Sequence, residues 1–186
     1  MPSTLGFALL ALLARTPRTG YELRQAMREP IGFFWTASHS QIYPELARLE
    51  SGGFVRHRVI DGPGPRDTKR YACTAAGRRA LAAWAIEAPE PGPERDELML
   101  KVYAIWTAPP AAARALIEAQ RAAHEARLAR YEQLDVEFGA QHPTAIVDPS
   151  TPEFAAYATL RCGLSYERHR IGWCDWLLSR IEVARR

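Results

Sequence analysis

Apolar and polar positions follow a helical period at the start of the chain, an alternating one in the middle, and a helical one again to the end. Leu5, Phe7, Leu9, Leu10, Leu12 and Leu13 are apolar nearly all round a helix that Ser3 or Thr4 can cap, which predicts a central core helix. Thr16-Pro17-Arg18-Thr19-Gly20 reads as a turn, and Thr19 as the N-cap of a second helix from Tyr21 to about Arg28. Pro30 and Gly32 stop that helix. Ser38-His39-Ser40 can cap a third, in which Ile42, Leu46 and Leu49 form one buried stripe. Gln41, Tyr43, Glu45 and Arg48 fall on its other faces, and Gly52-Gly53 ends it.

The period then shortens to two. Phe54 to Ile60 reads as a strand with Val55 and Val59 on one side and Arg56 and Arg58 on the other. Asp61 to Asp67 is a loop rich in Pro and Gly, Lys69 to Cys73 a return strand, and Thr74 the cap of a helix from Ala75 to about Glu87. Beyond the proline-rich stretch Ala88 to Pro93, a helix is expected through Leu98, Leu100, Val102, Tyr103, Ile105 and Trp106, then a long one over about Ala111 to Phe138. The last helix, about Glu153 to Val183, carries Tyr157, Leu160, Leu164, Glu167, Ile171, Cys174, Leu178 and Ile181 at steps of 3, 4, 3, 4, 3, 4, 3. That is a heptad seam broken only by Glu167. The fold class is therefore mainly α with a small two-stranded wing. A winged helix-turn-helix over residues 1–88 is followed by an α-helical, coiled-coil-like domain over 94–186.

Composition narrows the function. The chain has 186 residues, 47% apolar and 24% charged, ordinary for a globular protein. Its apolar run Leu5 to Ala14 is too short to cross a membrane and lacks the flanks of a signal peptide. Cys73, Cys162 and Cys174 are far apart, so neither a disulfide framework nor a thiolate zinc site is expected, and a reduced cytoplasmic setting is. No nucleophile elbow, Walker loop or dinucleotide fingerprint occurs, so no enzyme, cofactor or metal is expected. The net charge of +3 is uneven. Residues 1–88 hold 12 Arg/Lys against 7 Asp/Glu, and residues 89–186 hold 12 against 14. An anionic partner for the first half follows.

A helix of this kind fits the major groove, and a basic hairpin beside it reaches phosphates or the minor groove. Ser38, Ser40, Gln41, Tyr43 and Arg48 on the third helix, with Arg56, Arg58, Arg66, Lys69 and Arg70 on the hairpin, are the candidate DNA contacts. The alternative is a solvated helix face and a solvated hairpin on a protein-interaction module or ligand sensor.

The segments Gly20-Tyr21-Glu22-Leu23, Gln41-Ile42-Tyr43-Pro44-Glu45-Leu46-Ala47-Arg48-Leu49-Glu50 with Gly53-Phe54-Val55, and Tyr71-Ala72-Cys73-Thr74-Ala75-Ala76-Gly77 carry a resemblance. They are ordered and spaced as in the PadR family of bacterial transcriptional regulators, whose motifs read roughly G-Y-E-L, L-Y-P-x-L-x-R-L-E-x-x-G and Y-x-L-T-x-x-G. Cys73 departs from the usual Leu and is expected to be buried. The second half, from Asp96-Glu97-Leu98 to Trp173-Cys174-Asp175-Trp176-Leu177, resembles the helical dimerisation domain often fused to it. The resemblance implies a homodimeric DNA-binding regulator, usually a repressor, on a palindromic operator and released by a small molecule or other signal. It implies a DNA contact by Tyr43, whose alternative is a packing role over the wing. Arg48 can equally pair with Glu45 or Glu50.

Two readings stay open in the second half. Leu160, Leu164, Ile171, Leu178 and Ile181 of the seam can form a dimer interface, pack on the long Ala111–Phe138 helix of the same chain, or do both, since the helix has two apolar flanks. Tyr103, Trp106, Tyr157, Trp173 and Trp176 can form a pocket for a small aromatic effector, or serve core and interface.

Overall fold

A computed structural model describes residues 1–27, 39–60, 68–89, 96–144 and 147–183. The chain divides into two compact units, Met1–Glu90 and Pro91–Arg186.

The first unit is built on α1 (Thr4–Arg15), whose Phe7, Leu9, Leu10, Leu12 and Leu13 are all buried. Ser3 caps it, accepting from the Gly6 N–H at 3.0 Å. Around α1 pack α2 (Gly20–Ala26), α3 (His39–Ser51) and α4 (Ala75–Trp84). The Trp84 ring stacks on Phe7 at 4.6 Å. The sheet has strand order β1-β3-β2, all antiparallel, with β1 Arg18–Thr19, β2 Val55–Ile60 and β3 Thr68–Cys73. The sheet is thus three-stranded rather than two-stranded. Arg18 and Thr19, expected in a turn, pair with Tyr71 and Arg70. Two residues are too few for any alternation to register.

Three close approaches fix this unit. Thr19 and Glu22 form a capping box, with the Thr19 N–H donating to Glu22 Oε2 at 2.6 Å and the Glu22 N–H to Thr19 Oγ1 at 3.2 Å. α3 ends in a Schellman turn at Gly53, whose φ of 73° suits glycine. There the Gly53 N–H donates to the Glu50 carbonyl and the Phe54 N–H to the Leu49 carbonyl, both at 2.9 Å. Thr74 caps α4 and donates its own N–H to the Phe54 carbonyl at 3.0 Å. A Cβ on Gly77 would run into that carbonyl, so glycine is required there by contact. Cys73 is half-buried against the core, and burial pushes its thiol up. α4 stops at Trp84, earlier than expected.

In the second unit α5 (Glu97–Tyr103) is shorter than expected, and Ile105–Thr107 form a separate 3-10 turn. Two long helices follow, α6 (Pro110–Gln141) and α7 (Pro152–Val183). They run antiparallel, since Arg121 bonds Asp175, Arg127 bonds Glu167, and Arg161 bonds Asp135. Ala113, Ile117, His124 and Tyr131 of α6 are buried, as are Leu160, Leu164, Glu167 and Cys174 of α7. Leu160 and Leu164 are therefore filled against their own chain, the intrachain alternative. Ile171, Leu178 and Ile181 stay half-buried.

The break in the seam has a partner. Glu167 Oε2 lies 2.5 Å from His124 Nδ1, and Arg127 donates through Nε to Glu167 Oε1 at 3.1 Å. His124 and Glu167 are buried, whereas the Arg127 side chain is half exposed. A buried carboxylate needs such partners, because its own desolvation is unfavourable. Glu167→Ala is expected to destabilise the protein by about 3 kcal/mol, the lower end for a broken buried ion pair. Changing His124 and Glu167 together to Leu should recover most of that loss, since Arg127 can turn to solvent. Urea denaturation followed by circular dichroism checks both, and an unchanged midpoint for Glu167→Ala would rule out the role.

Candidate nucleic-acid interface

The third helix buries Ile42, Leu46 and Leu49 against α1 and presents Ser40, Gln41, Tyr43, Pro44, Ala47 and Arg48 outward. Glu45, expected on an outer face, is buried. It accepts from Ser3 Oγ at 2.7 Å and from Arg48 at 3.1 Å, and Gly6 leaves room for its carboxylate. The first turn of α1 suits it, because a helix N-terminus favours negative charge. This settles the choice for Arg48: its partner is Glu45, while Glu50 holds His57 of β2. The Arg48 side chain stays three-quarters exposed, so the pair leaves it accessible.

Tyr43 is 58% exposed, yet one side of its ring is held. A Cβ on Gly20 would stand 2.5 Å from Tyr43 Cε1. The first residue of α2 is thus a seat for the recognition-helix tyrosine. Below it, burial first, then Glu50 and Tyr43, pushes the Tyr71 phenol up, so it stays neutral.

The sheet separates the basic residues. Residues directly opposite in an antiparallel pair share a face. Val55↔Cys73, His57↔Tyr71 and Val59↔Lys69 share one face. It is the face toward α3, since Val55 and Tyr71 are buried and His57 meets Glu50. Lys69 lies exposed at its outer end beside Val59, which is exposed because the wing runs beyond the helices. Arg56↔Ala72, Arg58↔Arg70 and Ile60↔Thr68 share the other face. Ser40, Gln41, Tyr43 and Arg48 are thus exposed on α3, Lys69 lies on the sheet face turned toward α3, and Arg56, Arg58 and Arg70 lie on the other face. Ser38 and Arg66 lie outside the described residues.

The first half of the chain, residues 9–83, matches the model of the transcriptional regulator PadR-like family, and residues 94–182 match that of the virulence activator alpha C-terminal domain. The chain is 32% identical over 182 residues to the negative transcriptional regulator PadR of Bacillus subtilis, covering 96% of this chain and 97% of that one. The chain belongs to the PadR family. Among solved structures, Bacillus subtilis PadR in complex with operator DNA superposes with a TM-score of 0.86 at 31% identity, covering 96% of this chain and 99% of that chain. The same protein in complex with p-coumaric acid gives 0.76 at 31%, covering 97% and 99%. The winged helix-turn-helix of a PadR-family transcriptional regulator is thus the fold of this protein.

Of the two open readings for the aromatic residues, a single pocket is not formed within the chain by these five. Tyr157 stacks on Phe138 at 5.7 Å, and Trp173 lies under the Arg170 guanidinium at 5.2 Å. Both are on α7, 16 residues apart, which is about 24 Å along a helix. Tyr103 and Trp106 are largely exposed, and Trp176 is half exposed. Sequence reasoning missed Arg170, which bonds Asp96 at 3.3 Å and lies over the Tyr166 ring as well. Its spacing from both rings was the available signal. Among the described residues no cluster of His, Cys, Asp or Glu could hold a metal ion, and no helix is long and apolar enough to cross a membrane.

Two outcomes are expected. Gly20→Ala should leave the fold near its original stability, because an exposed ring can swing aside. It should lower DNA affinity as much as loss of Tyr43 does, which anisotropy with labelled DNA would reveal. The second concerns Glu22, held below its ordinary 4.5 chiefly by the Thr19 backbone N–H, then by the Thr19 hydroxyl and by Arg70 and Arg18. A lowered carboxyl stabilises the fold fully above the unfolded value and loses that contribution as pH falls through the folded one. Glu22→Gln should therefore lower the urea midpoint at pH 7 and narrow its gap to wild type at pH 3.5.

Proposed function

We propose that this PadR-family protein is a homodimeric repressor, and not an enzyme, that binds a palindromic operator in the cytoplasm. The exposed edge of α3, with Tyr43 seated on Gly20, carries the reading. Ser40, Gln41 and Tyr43 face the major groove, and Arg48 and Lys69 the flanking phosphates, with Ser38 and Arg66, outside the described residues, as further contacts in this reading. A helix in the groove with a wing beside it is the docking geometry of this fold. The Bacillus subtilis relative bound to operator DNA supports it.

Two protomers would place two such edges on half-sites one helical turn or a multiple apart. Ile171, Leu178 and Ile181 of α7, half-buried in one chain, belong to the dimer contact, whereas Leu160 and Leu164 are taken up within the chain. Because the Bacillus subtilis relative is also known with p-coumaric acid, the release signal here is a small aromatic acid. Arg170, with Trp173 and Tyr166 beside it, suits a carboxylate attached to a ring. Tyr103, Tyr157, Trp106 and Trp176 supply aromatic surface at the interface.

The test is a mobility shift with the DNA upstream of the protein's own gene, where such regulators often act. Wild type should shift it well above random DNA at moderate salt. Tyr43→Ala should weaken binding at least tenfold, the scale of one good groove contact, with an unchanged circular dichroism spectrum. Equal binding to random DNA would overturn the proposal.

A further inference from the structure

Asp96 joins two helices of the second unit through one carboxylate. Its Oδ1 accepts from the Met99 N–H at 3.2 Å and caps α5, and its Oδ2 forms an ion pair with Arg170 Nη1 of α7 at 3.3 Å. Arg170 is the more enclosed partner, its side chain 13% exposed against 38% for Asp96. The guanidinium lies over the Tyr166 ring at 5.9 Å and the Trp173 ring at 5.2 Å. Spacings of four and three residues put all three side chains on one face of α7.

Three features make this ion pair replaceable. It is long for its surroundings, since Arg121 reaches Asp175 at 2.5 Å and Arg168 reaches Glu132 at 2.9 Å in the same unit. Arg170 Nε is buried and has no hydrogen-bond partner among the described residues, so one donor of a fork that suits a bidentate carboxylate is unused. The third feature is α5 itself, seven residues with none buried, a length too short to hold as a helix by itself. A second carboxylate on the same guanidinium would repel the first, so the two compete.

We propose that Asp96 is an internal stand-in for the carboxylate of a ring acid: it holds Arg170 in the free chain, and the acid binds by taking its place and releasing α5 from α7. The proposal rests on the small-acid reading of Arg170 above. The ligand must then carry a negative charge, since a neutral group does not displace a carboxylate from a guanidinium. It must also carry a ring, because half-exposed Tyr166 and its neighbour Trp173 supply the contact that a bare carboxylate such as acetate lacks. α5 is the first helix of the second unit in sequence, so occupancy of Arg170 is registered where the chain enters that unit.

Titration calorimetry would compare full-length wild type with Asp96→Asn and Glu97→Gln, using cinnamate and benzoate as ring acids and cinnamamide and acetate as controls. Asparagine still caps a helix. Glu97 carries the same charge on the next residue but is 80% exposed and paired with Lys101. Circular dichroism checks the fold of both variants. Asp96→Asn should bind a ring acid at least about fivefold more tightly than wild type, the low end of a coupling between two contacts. Glu97→Gln should bind as wild type does, and neither control ligand should gain from either change. Hydrogen exchange over α5 is the second readout. A saturating ring acid should speed it in wild type, and Asp96→Asn should show the faster exchange without ligand.

Equal or weaker binding by Asp96→Asn would overturn the proposal and leave the small-acid reading standing. So would an equal gain by Glu97→Gln, because the effect would then be one of net charge. An equal gain by cinnamamide would do the same, because the charge of the ligand would not matter. Unchanged α5 exchange in saturated wild type would also overturn it, because Asp96 would not have moved. Binding by Asp96→Asn alone would support it, the wild-type arginine being held by its own carboxylate. No binding of either ring acid by any of the three proteins would end the small-acid reading and the proposal with it.

Discussion

One peptide group joins the parts of this molecule that must act together. Phe54 gives its N–H to Leu49 at the end of α3 and its carbonyl to Thr74 at the start of α4. β2 begins at the next residue. The arrangement holds only because Gly77 has no side chain where the Phe54 carbonyl passes. Recognition helix, wing and the helix closing the unit are therefore set by backbone hydrogen bonds, whose geometry tolerates little drift. A site that reads DNA through a helix and a hairpin needs this rigidity, because misplacing either element removes the contacts of both.

Charge is then distributed over that frame by the alternation of the strands. The sheet gives its inner face to core packing and to the Glu50–His57 contact, and its outer face to three arginines. On α3, by contrast, both acidic residues are bonded within the unit. Glu45 is held by Ser3 and Arg48 over the first turn of α1, and Glu50 is held by His57. The carboxylates of α3 are thereby bonded to their neighbours, and the described side chains that α3 leaves exposed are neutral or basic. The basic excess of the first half thus has a spatial meaning that a count of charges lacks.

Much of this was legible in the sequence, and the parts that were not share a cause. Ser3, Thr19 and Thr74 read as caps because a cap is a local hydrogen bond between residues two or three apart. The stripe Ile42, Leu46, Leu49 read as buried because helical period alone decides it. Glu45 did not, since its partner Ser3 is distant in sequence and only the packing of α3 on α1 joins them. Alternation placed Arg56 and Arg58 on one side of β2, but nothing local said which side α3 would cover. The pairing of Arg58 with Arg70 depended on the hairpin register. β1 was too short to show a period. The aromatic residues of the second half looked like one cluster because distance along a long helix does not show in composition.

Glu167 carries the same lesson into the second unit and adds a constraint. As a break in an apolar seam it is visible, but its meaning depends on the antiparallel register that brings His124 and Arg127 opposite. A register slipped by one heptad would leave the carboxylate buried against apolar side chains, at a cost of several kcal/mol. The cluster therefore selects one alignment of two long helices whose apolar contacts alone would tolerate several, as a single buried polar position does in a coiled coil. With Leu160 and Leu164 already enclosed by that alignment, a second protomer meets the residues that flank the seam more than the seam itself. Register within the chain thus comes first, and it decides which surface is left for the partner.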